Sequence, residues 1–134
     1  MTKRIGRWAF PCALAAVLAA CPAPPRGLSG VWFATEAYDG VAAYHVRYEL
    51  RDDGATLEGT VANCDAGFSA CGAATGAVRG ARDGDAAEWA YTIPGEVETH
   101  VSGRLEGSGF SGTAWFVPDG GAEPIRGPVT MARP

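Results

Sequence analysis

The chain has very little lysine and, after its first residues, little positive charge. Lys3 is the only lysine, so every basic residue after the first 20 positions is an arginine. From Cys21 onward, eight arginines stand against fifteen acidic residues, a formal balance of −7. Such a surface repels nucleic acid and anionic lipid headgroups, because both carry negative charge. We therefore exclude nucleic acid as a partner.

Residues that carry out catalysis are also scarce. The two histidines, His45 and His100, are out of phase with the apolar positions around them, so we expect both on the outer surface. No serine occurs in a Gly-x-Ser-x-Gly motif. The acidic segment 83–88 lacks the length and ligand spacing of an EF-hand loop, and a solvated hairpin turn accounts for it. We predict a protein that is not an enzyme and that has no metal site and no cofactor.

Long apolar runs are limited to one. Residues 8–20 form an uncharged stretch of 13 residues after Lys3, Arg4 and Arg7. A helix needs about 20 residues to cross the hydrocarbon core of a bilayer, so this stretch is too short. A basic start followed by a short apolar run is typical of a secretory signal peptide, which we predict as a helix over 1–20. A buried N-terminal helix is the alternative, and Pro11 disfavours it.

Four cysteines remain to be placed. Cys12 lies within the predicted signal peptide. Cys64 and Cys71 share one short segment, and an exported protein folds where disulfides persist, so we predict that they form a disulfide. A metal pair is the alternative, but two thiols without a nearby histidine do not supply four ligands. Cys21 is then the odd cysteine and needs a separate explanation.

The residues before Cys21 supply that explanation. Leu18-Ala19-Ala20-Cys21 resembles the lipobox of bacterial lipoproteins. The resemblance implies that the thiol of Cys21 carries a diacylglyceryl group, that cleavage occurs before Cys21, and that the new amine is acylated, commonly with palmitate. The N-terminal end of the mature chain would then be anchored to a membrane, its expected partner, through two or more acyl chains. Residues 21–27 are rich in proline and predict an extended tether. In enterobacterial lipoproteins, an aspartate directly after the lipidated cysteine signals retention in the inner membrane. This chain has Pro22 at that position, so we expect the protein in the cell envelope, at the outer membrane.

Residues 28–134 predict a single all-β domain. Alternation places Tyr44, Tyr48, Trp89 and Tyr91 on the apolar faces of two segments. Asp-Gly occurs four times between such segments and is a strong hairpin signal. We predict eight antiparallel strands near 29–36, 43–51, 55–62, 74–81, 86–93, 97–105, 109–117 and 125–132.

Eight hairpin-linked strands favour a small up-and-down barrel, because closure removes exposed strand edges. A two-sheet sandwich is the alternative. Glycines recur within four strands, at 59, 76, 103 and 112, and would permit the tight bends that small barrels need. Charged outward positions such as Arg47 and Glu49 argue against a barrel that spans a membrane.

The first strand adds a second resemblance. Gly30-Val31-Trp32 together with Arg133, or alternatively Arg126, resembles the lipocalin and calycin pattern, in which an arginine near the last strand covers a tryptophan near the first. The resemblance implies a calycin-like barrel closed by Trp32 and Arg133. It implies no ligand: Asn63 is the only asparagine and glutamine is absent, whereas the biotin pockets of streptavidin-type barrels use such residues.

Two functional hypotheses follow from the predicted interior. An eight-stranded barrel is either just filled by its side chains or holds one small ligand. The first hypothesis is a lipid-anchored, non-catalytic barrel that binds a small, partly apolar molecule. The second is a structural or protein-interaction lipoprotein with a solid core, whose loops or acidic surface meet another envelope protein. A filled interior with an exposed apolar patch around Trp115 would favour this second hypothesis. The side chains predicted to point inward and to line a ligand are Tyr44, Tyr48, Trp89, Tyr91 and Phe116.

Overall fold

The computed structural model describes residues 27–121 and 123–134. Each strand pairs antiparallel with the next, and the last pairs with the first, which closes the barrel. The predicted all-β barrel of eight strands is confirmed, and every strand boundary agrees within two residues. The strands are β1 (Gly30–Glu36), β2 (Tyr44–Asp52), β3 (Thr56–Asn63), β4 (Gly76–Asp83), β5 (Ala86–Thr92), β6 (Thr99–Glu106), β7 (Gly109–Phe116) and β8 (Ile125–Ala132).

The predicted signal helix over 1–20, Cys21 and the tether up to residue 26 lie outside the described residues. Within residues 27–121 and 123–134, we find no helix with the length and apolar character needed to cross a bilayer.

Alternation along each strand separates the core from the surface. On β2, Val46, Tyr48 and Leu50 are buried, whereas Arg47 and Glu49 face outward and form an ion pair of 3.4 Å. The other strands follow the same two-residue period, apart from the buried Ala62 next to Val61 on β3, and one continuous core fills the barrel. The period therefore assigns each side chain to the inside or the outside.

The connections make the two ends of the barrel different. At one end, tight turns at 53–55, 84–85 and 107–108 join the strands. At the other end, the longer connections 37–43, 64–75, 93–98 and 117–124 join them. We call the first the closed end and the second the mouth. Successive connections of an up-and-down barrel lie at opposite ends, so all the long connections of this chain gather at one end, the mouth.

Contacts of Arg133 and Trp32 cover the closed end. The guanidinium carbon of Arg133 lies 4.2 Å from the ring centroid of Trp32, and its two terminal nitrogens donate to the carbonyls of Ser29 and Gly27 at 2.7 and 2.8 Å. The indole N–H of Trp32 donates to the carbonyl of Leu28 at 2.9 Å. Arg126, the alternative partner, instead lies on the outer surface over Trp115, at 5.7 Å from its ring centroid.

An ion pair completes the closed end. The side chain of Asp52 is nearly inaccessible, and its Oδ2 lies 2.6 Å from Nε of Arg82 and accepts the N–H of Leu28 at 2.8 Å. Burial by itself would raise the pKa of Asp52, but these groups, together with the N–H of Gly54, lower that pKa below its usual value. The pair holds the N-terminal segment of the barrel against β2 and β4.

The glycines within strands allow neighbouring strands to approach closely. A Cβ on Gly112 would lie 2.0 Å from the carbonyl oxygen of Ser102 and 2.5 Å from the Cα of Gly103 on the paired strand. Only glycine fits this geometry, because a real Cβ never comes so near to backbone. The predicted role in bending is thus consistent with the close approach of β6 and β7.

Candidate functional site

A buried carboxylate lies beneath the mouth. On β1 the inward positions are Trp32, Ala34 and Glu36, and Tyr38 follows two residues later. Glu36 has an exposed fraction of 0%, although glutamate is rarely fully buried unless it is paired. Its side chain points inward because it shares the phase of Trp32. A fully buried glutamate therefore requires partners within the barrel.

Three tyrosine hydroxyls surround this carboxylate. Tyr38 donates to Oε1 of Glu36 at 2.8 Å, and the hydroxyl of Tyr91 lies 3.0 and 2.9 Å from Oε1 and Oε2. The hydroxyl of Tyr48 contacts Oε2 more weakly, at 3.5 Å, and accepts the indole N–H of Trp89 at 3.2 Å. We call Glu36, Tyr38, Tyr48, Trp89 and Tyr91 the Glu36 cluster. Each of its polar side chains has a hydrogen-bond partner, as buried polar groups require.

The protonation of the cluster follows from its burial. Burial raises the pKa of Glu36 above its usual value, although the tyrosine hydrogen bonds oppose the shift, and the like charge of Glu96 adds to the rise. Burial and the neighbouring carboxylate also raise the pKa of Tyr38 and Tyr48, so their hydroxyls stay protonated and can donate. Among the ion pairs of the described residues, none involves Glu36. Tyrosine hydroxyls therefore satisfy the buried carboxyl by hydrogen bonding, while its burial favours the protonated form.

Aromatic rings fill the middle of the barrel around the cluster. Tyr48 meets Trp89 and Tyr91 edge-to-face, with ring centroids 5.5 and 5.9 Å apart, and Trp89 packs on Phe110 at 5.1 Å. These side chains are all nearly inaccessible to solvent. The middle of the barrel is thus packed, and Glu36 is closed off from solvent.

An open cavity lies above this packed layer, at the mouth. Its volume is about 520 Å³, within the range of small-molecule sites. Its apolar surface includes Tyr44, Val97 and Phe116, and its polar groups include Asn63 and Glu96. The remaining lining residues are Ala43, His45, Cys64, Gly95, Thr99, Pro118 and Asp119.

Two aromatic rings connect the cavity to the Glu36 cluster. The rings of Tyr44 and Phe116 are nearly parallel, with 6.2 Å between their centroids, and both line the cavity. The ring of Tyr38 packs edge-on against each of them, at 5.5 and 4.9 Å, while its hydroxyl binds Glu36. A ligand in the cavity would therefore rest on rings that hold the buried carboxylate in place.

The polar part of the mouth is held by cross-loop contacts. Nδ2 of Asn63, at the end of β3, donates to Oε2 of Glu96 on the loop 93–98, at 2.5 Å. Nδ1 of His45 lies 3.3 Å from the hydroxyl of Thr35 on β1. These bonds fix lining side chains from several strands, which preorganises the site.

The loop 64–75 is fixed by its disulfide and by one aromatic contact. Cys64 and Cys71 are bonded, as the sequence predicts. Phe68 has a positive φ of 56° and its ring stacks on Phe33, which faces outward from β1, at a centroid distance of 4.6 Å. The same ring meets His45 edge-on at 5.5 Å. The loop thus folds back on the outside of the barrel and leaves the mouth open.

The structure separates the five predicted interior residues into two groups. Tyr44 and Phe116 line the cavity, whereas Tyr48, Trp89 and Tyr91 lie in the packed layer beneath it. Sequence reasoning missed Glu36 and Tyr38. The signal was present: both continue the alternation that starts at Trp32, which puts them on the inner face.

The outer surface around Trp115 is less apolar than the patch considered from the sequence. The ring of Trp115 faces outward, but it stacks on the imidazole of His100 at a centroid distance of 4.0 Å, and Arg126 lies over it. Val117 is 41% exposed and lies beside the mouth. Polar groups therefore interrupt the apolar surface around Trp115.

In the part of the chain that the structure describes, no group of three His, Cys, Asp or Glu side chains is placed to hold a metal ion. Glu36, whose pKa is raised by burial, lies inside the barrel and is inaccessible to solvent.

Comparison with known proteins agrees at the level of fold. No protein-family model and no curated protein matches the chain. Among solved structures, the chain is similar to EF1p2_mFAP2b bound to DFHBI, with a TM-score of 0.64 and 13% sequence identity over 81% of this chain and 98% of that one. At that identity the likeness concerns the fold alone. The protein is a small, closed, antiparallel β-barrel, an architecture that fits a non-catalytic binding role.

Proposed function

We propose that this protein is a lipid-anchored binding barrel of the bacterial cell envelope, which captures a small, partly apolar molecule at its mouth without transforming it. The observation that carries the binding role is the cavity of about 520 Å³, with Tyr44 and Phe116 on its wall. Aromatic rings beside a few fixed polar groups are what small-molecule sites use to gain affinity and orientation. The solved barrel of similar fold, which holds DFHBI, is consistent with this role.

Attachment to a membrane rests on the sequence. The lipobox-like Leu18-Ala19-Ala20-Cys21 supports a diacylglyceryl group on Cys21, with the outer membrane as destination. The tether would then hold the barrel a short distance from the bilayer. Metabolic labelling with a radioactive fatty acid tests the anchor: we expect label in the wild-type protein and none in Cys21→Ala. Label that persists in the variant would refute lipidation at this residue.

The alternative is a solid scaffold that meets another envelope protein. The packed middle of the barrel favours it, since no ligand could enter there. Against it, the surface around Trp115 is interrupted by His100 and Arg126, so it lacks the contiguous apolar patch that such a partner would use. The open mouth makes the binding role the better supported of the two.

Native mass spectrometry of the purified full-length protein tests the binding role. We expect small molecules to co-purify with the wild type and with Val41→Ala, a change on an exposed side chain that does not line the cavity. Tyr44→Ala removes one aromatic wall and should strip most of that material. Wild-type protein that is consistently empty would contradict ligand capture and favour the scaffold.

A further inference from the structure

The charge of the mouth is of one sign. The four connections 37–43, 64–75, 93–98 and 117–124 contain acidic residues and neither arginine nor lysine. The arginines of the barrel lie on strands or just after β8. The acidic residues of the mouth connections are Asp39, Asp65, Glu96, Glu98, Asp119 and Glu123.

Three arginines of the strands are engaged away from the cavity. Arg126, the second residue of β8, lies over the ring of Trp115. Arg47 on β2 forms an ion pair with Glu49, and Arg82 is held by Asp52 at the closed end. No arginine lines the cavity, so the negative potential of the loops is not neutralised inside it by a fixed cation of the described chain.

The cavity itself combines this charge with aromatic surface. Carboxylates of Glu96 and Asp119 line it from two different loops, and the rings of Tyr44 and Phe116 line it from β2 and β7. A positively charged group is attracted to the face of an aromatic ring and to a carboxylate alike. An anion would meet repulsion from both, because the ring face and the carboxylates are negative.

We propose that the ligand of the mouth is a small organic cation with an apolar body, whose positive group lies between the Tyr44 and Phe116 rings and the carboxylates of Glu96 and Asp119. This inference rests on the proposed binding function and names the class of its ligand. The apolar body contacts Val97 and the ring edges, while the positive group compensates the two acidic side chains. Long-range attraction to the acidic loops would also increase the rate of encounter.

The buried carboxyl beneath the site is consistent with this choice. The negative charge of Glu96 makes a small contribution to the raised pKa of Glu36. A cation in the cavity would offset that repulsion. A second negative charge would add to it.

Three probes of similar size test the proposal by calorimetry on the detergent-solubilised full-length protein. They are phenyltrimethylammonium, its neutral isostere tert-butylbenzene, and the anion benzenesulfonate. We expect the cation to bind about tenfold more tightly than the neutral probe, as a desolvated contact with aromatic rings and carboxylates would produce. Benzenesulfonate should bind more weakly than either.

Charge variants of the lining locate the effect. Glu96→Gln combined with Asp119→Asn should reduce the advantage of the cation to about twofold or less, and should leave the affinity for tert-butylbenzene unchanged. The matched control, Asp39→Asn combined with Glu123→Gln, removes the same charge from exposed mouth residues outside the cavity. This control variant should retain most of the preference for the cation over the neutral probe.

The outcomes separate the two proposals. Equal affinity for the cation and its neutral isostere, or tighter binding of benzenesulfonate, would overturn the cationic class and leave the binding function standing. An equal loss in the lining pair and in the control pair would mean that only the general potential matters, which would overturn the proposed position of the positive group. Absence of binding for all three probes would overturn both proposals.

Discussion

The hydroxyl of Tyr91 lies 3.0 and 2.9 Å from the two carboxylate oxygens of Glu36, inside the barrel and out of contact with solvent. Tyr91 is on β5 and Glu36 is on β1, so the contact crosses the interior between strands that do not pair. It joins two sides of the barrel through a group that is costly to bury as an ion. The stability of the fold should therefore depend on the protonation of Glu36.

Replacement of Glu36 with glutamine should remove that dependence. Because burial raises the pKa of Glu36 in the folded state, the unfolded chain loses its proton first, near pH 4.5, while the folded chain keeps it. Between that pH and the folded pKa, the wild type then loses up to about 1.4 kcal/mol of stability per pH unit. The stabilising contribution of Glu36 is fully present only below the pKa of the unfolded chain. Urea unfolding from pH 4 to 8 should show Glu36→Gln gaining stability relative to the wild type as the pH rises. The exposed Glu49→Gln serves as the control, and a difference that is constant with pH would contradict the prediction.

Loss of the arginine that covers Trp32 should weaken the closed end. Arg133→Ala removes two hydrogen bonds to backbone carbonyls and one cation–π contact, and we expect a loss of about 1–3 kcal/mol in the free energy of unfolding. Arg126→Ala, which removes an arginine over the exposed side of Trp115, should cost less than about 0.5 kcal/mol. Similar losses in the two variants, measured by urea unfolding, would show that Arg133 has no special part in closing the barrel.

Removal of the disulfide should loosen one loop of the mouth. Cys64→Ser combined with Cys71→Ser opens a loop with a sequence separation of 7 residues, and we expect a loss of roughly 2–2.5 kcal/mol from the greater entropy of the unfolded chain. Hydrogen exchange should become faster in 64–75 and stay unchanged at the closed end. Dithiothreitol should destabilise the wild type by a similar amount and leave the double variant unaffected. A double variant as stable as the wild type would contradict this role.

Alanine at Gly112 should strain the barrel. Its Cβ would lie 2.0 Å from the carbonyl oxygen of Ser102, so β6 and β7 must separate, at a cost of about 1–3 kcal/mol. Gly67 is the matched control, since it lies in an open loop with no atom within 4 Å of an added Cβ. Gly67→Ala should stay within about 0.5 kcal/mol of the wild type in thermal unfolding. Equal stability of the two variants would mean that the strands can separate at little cost.

Much of the architecture was predictable because it depends on local patterns. Alternation of apolar and polar residues, interrupted by Asp-Gly turns, specifies strands whose inner and outer faces differ by one residue. The proximity of Cys64 to Cys71 in the chain made their disulfide predictable for the same reason. The pairing of Trp32 with Arg133 came from a resemblance, and the structure was needed to choose Arg133 over Arg126.

The candidate site was harder to predict, since its parts are distant in the chain. A glutamate in a strand is expected at the surface, because burial of a charge is costly and the partners that offset it are not adjacent in sequence. Glu36 is buried only because closure of the barrel brings hydroxyls from β2, from β5 and from the loop after β1 to one point. The division of the aromatic residues into a packed layer and a cavity wall likewise depends on their height along the barrel.

The sequence by itself determined that this protein has eight strands, which apolar side chains of the strands point inward, and which two cysteines pair, since these follow from a two-residue period and short chain separations. The tertiary structure alone decided that the mouth is open, that the middle of the barrel is filled, and that the carboxyl of Glu36 is buried beneath the mouth. Those properties depend on which residues from distant strands share one level of the closed barrel, and no local pattern carries that information.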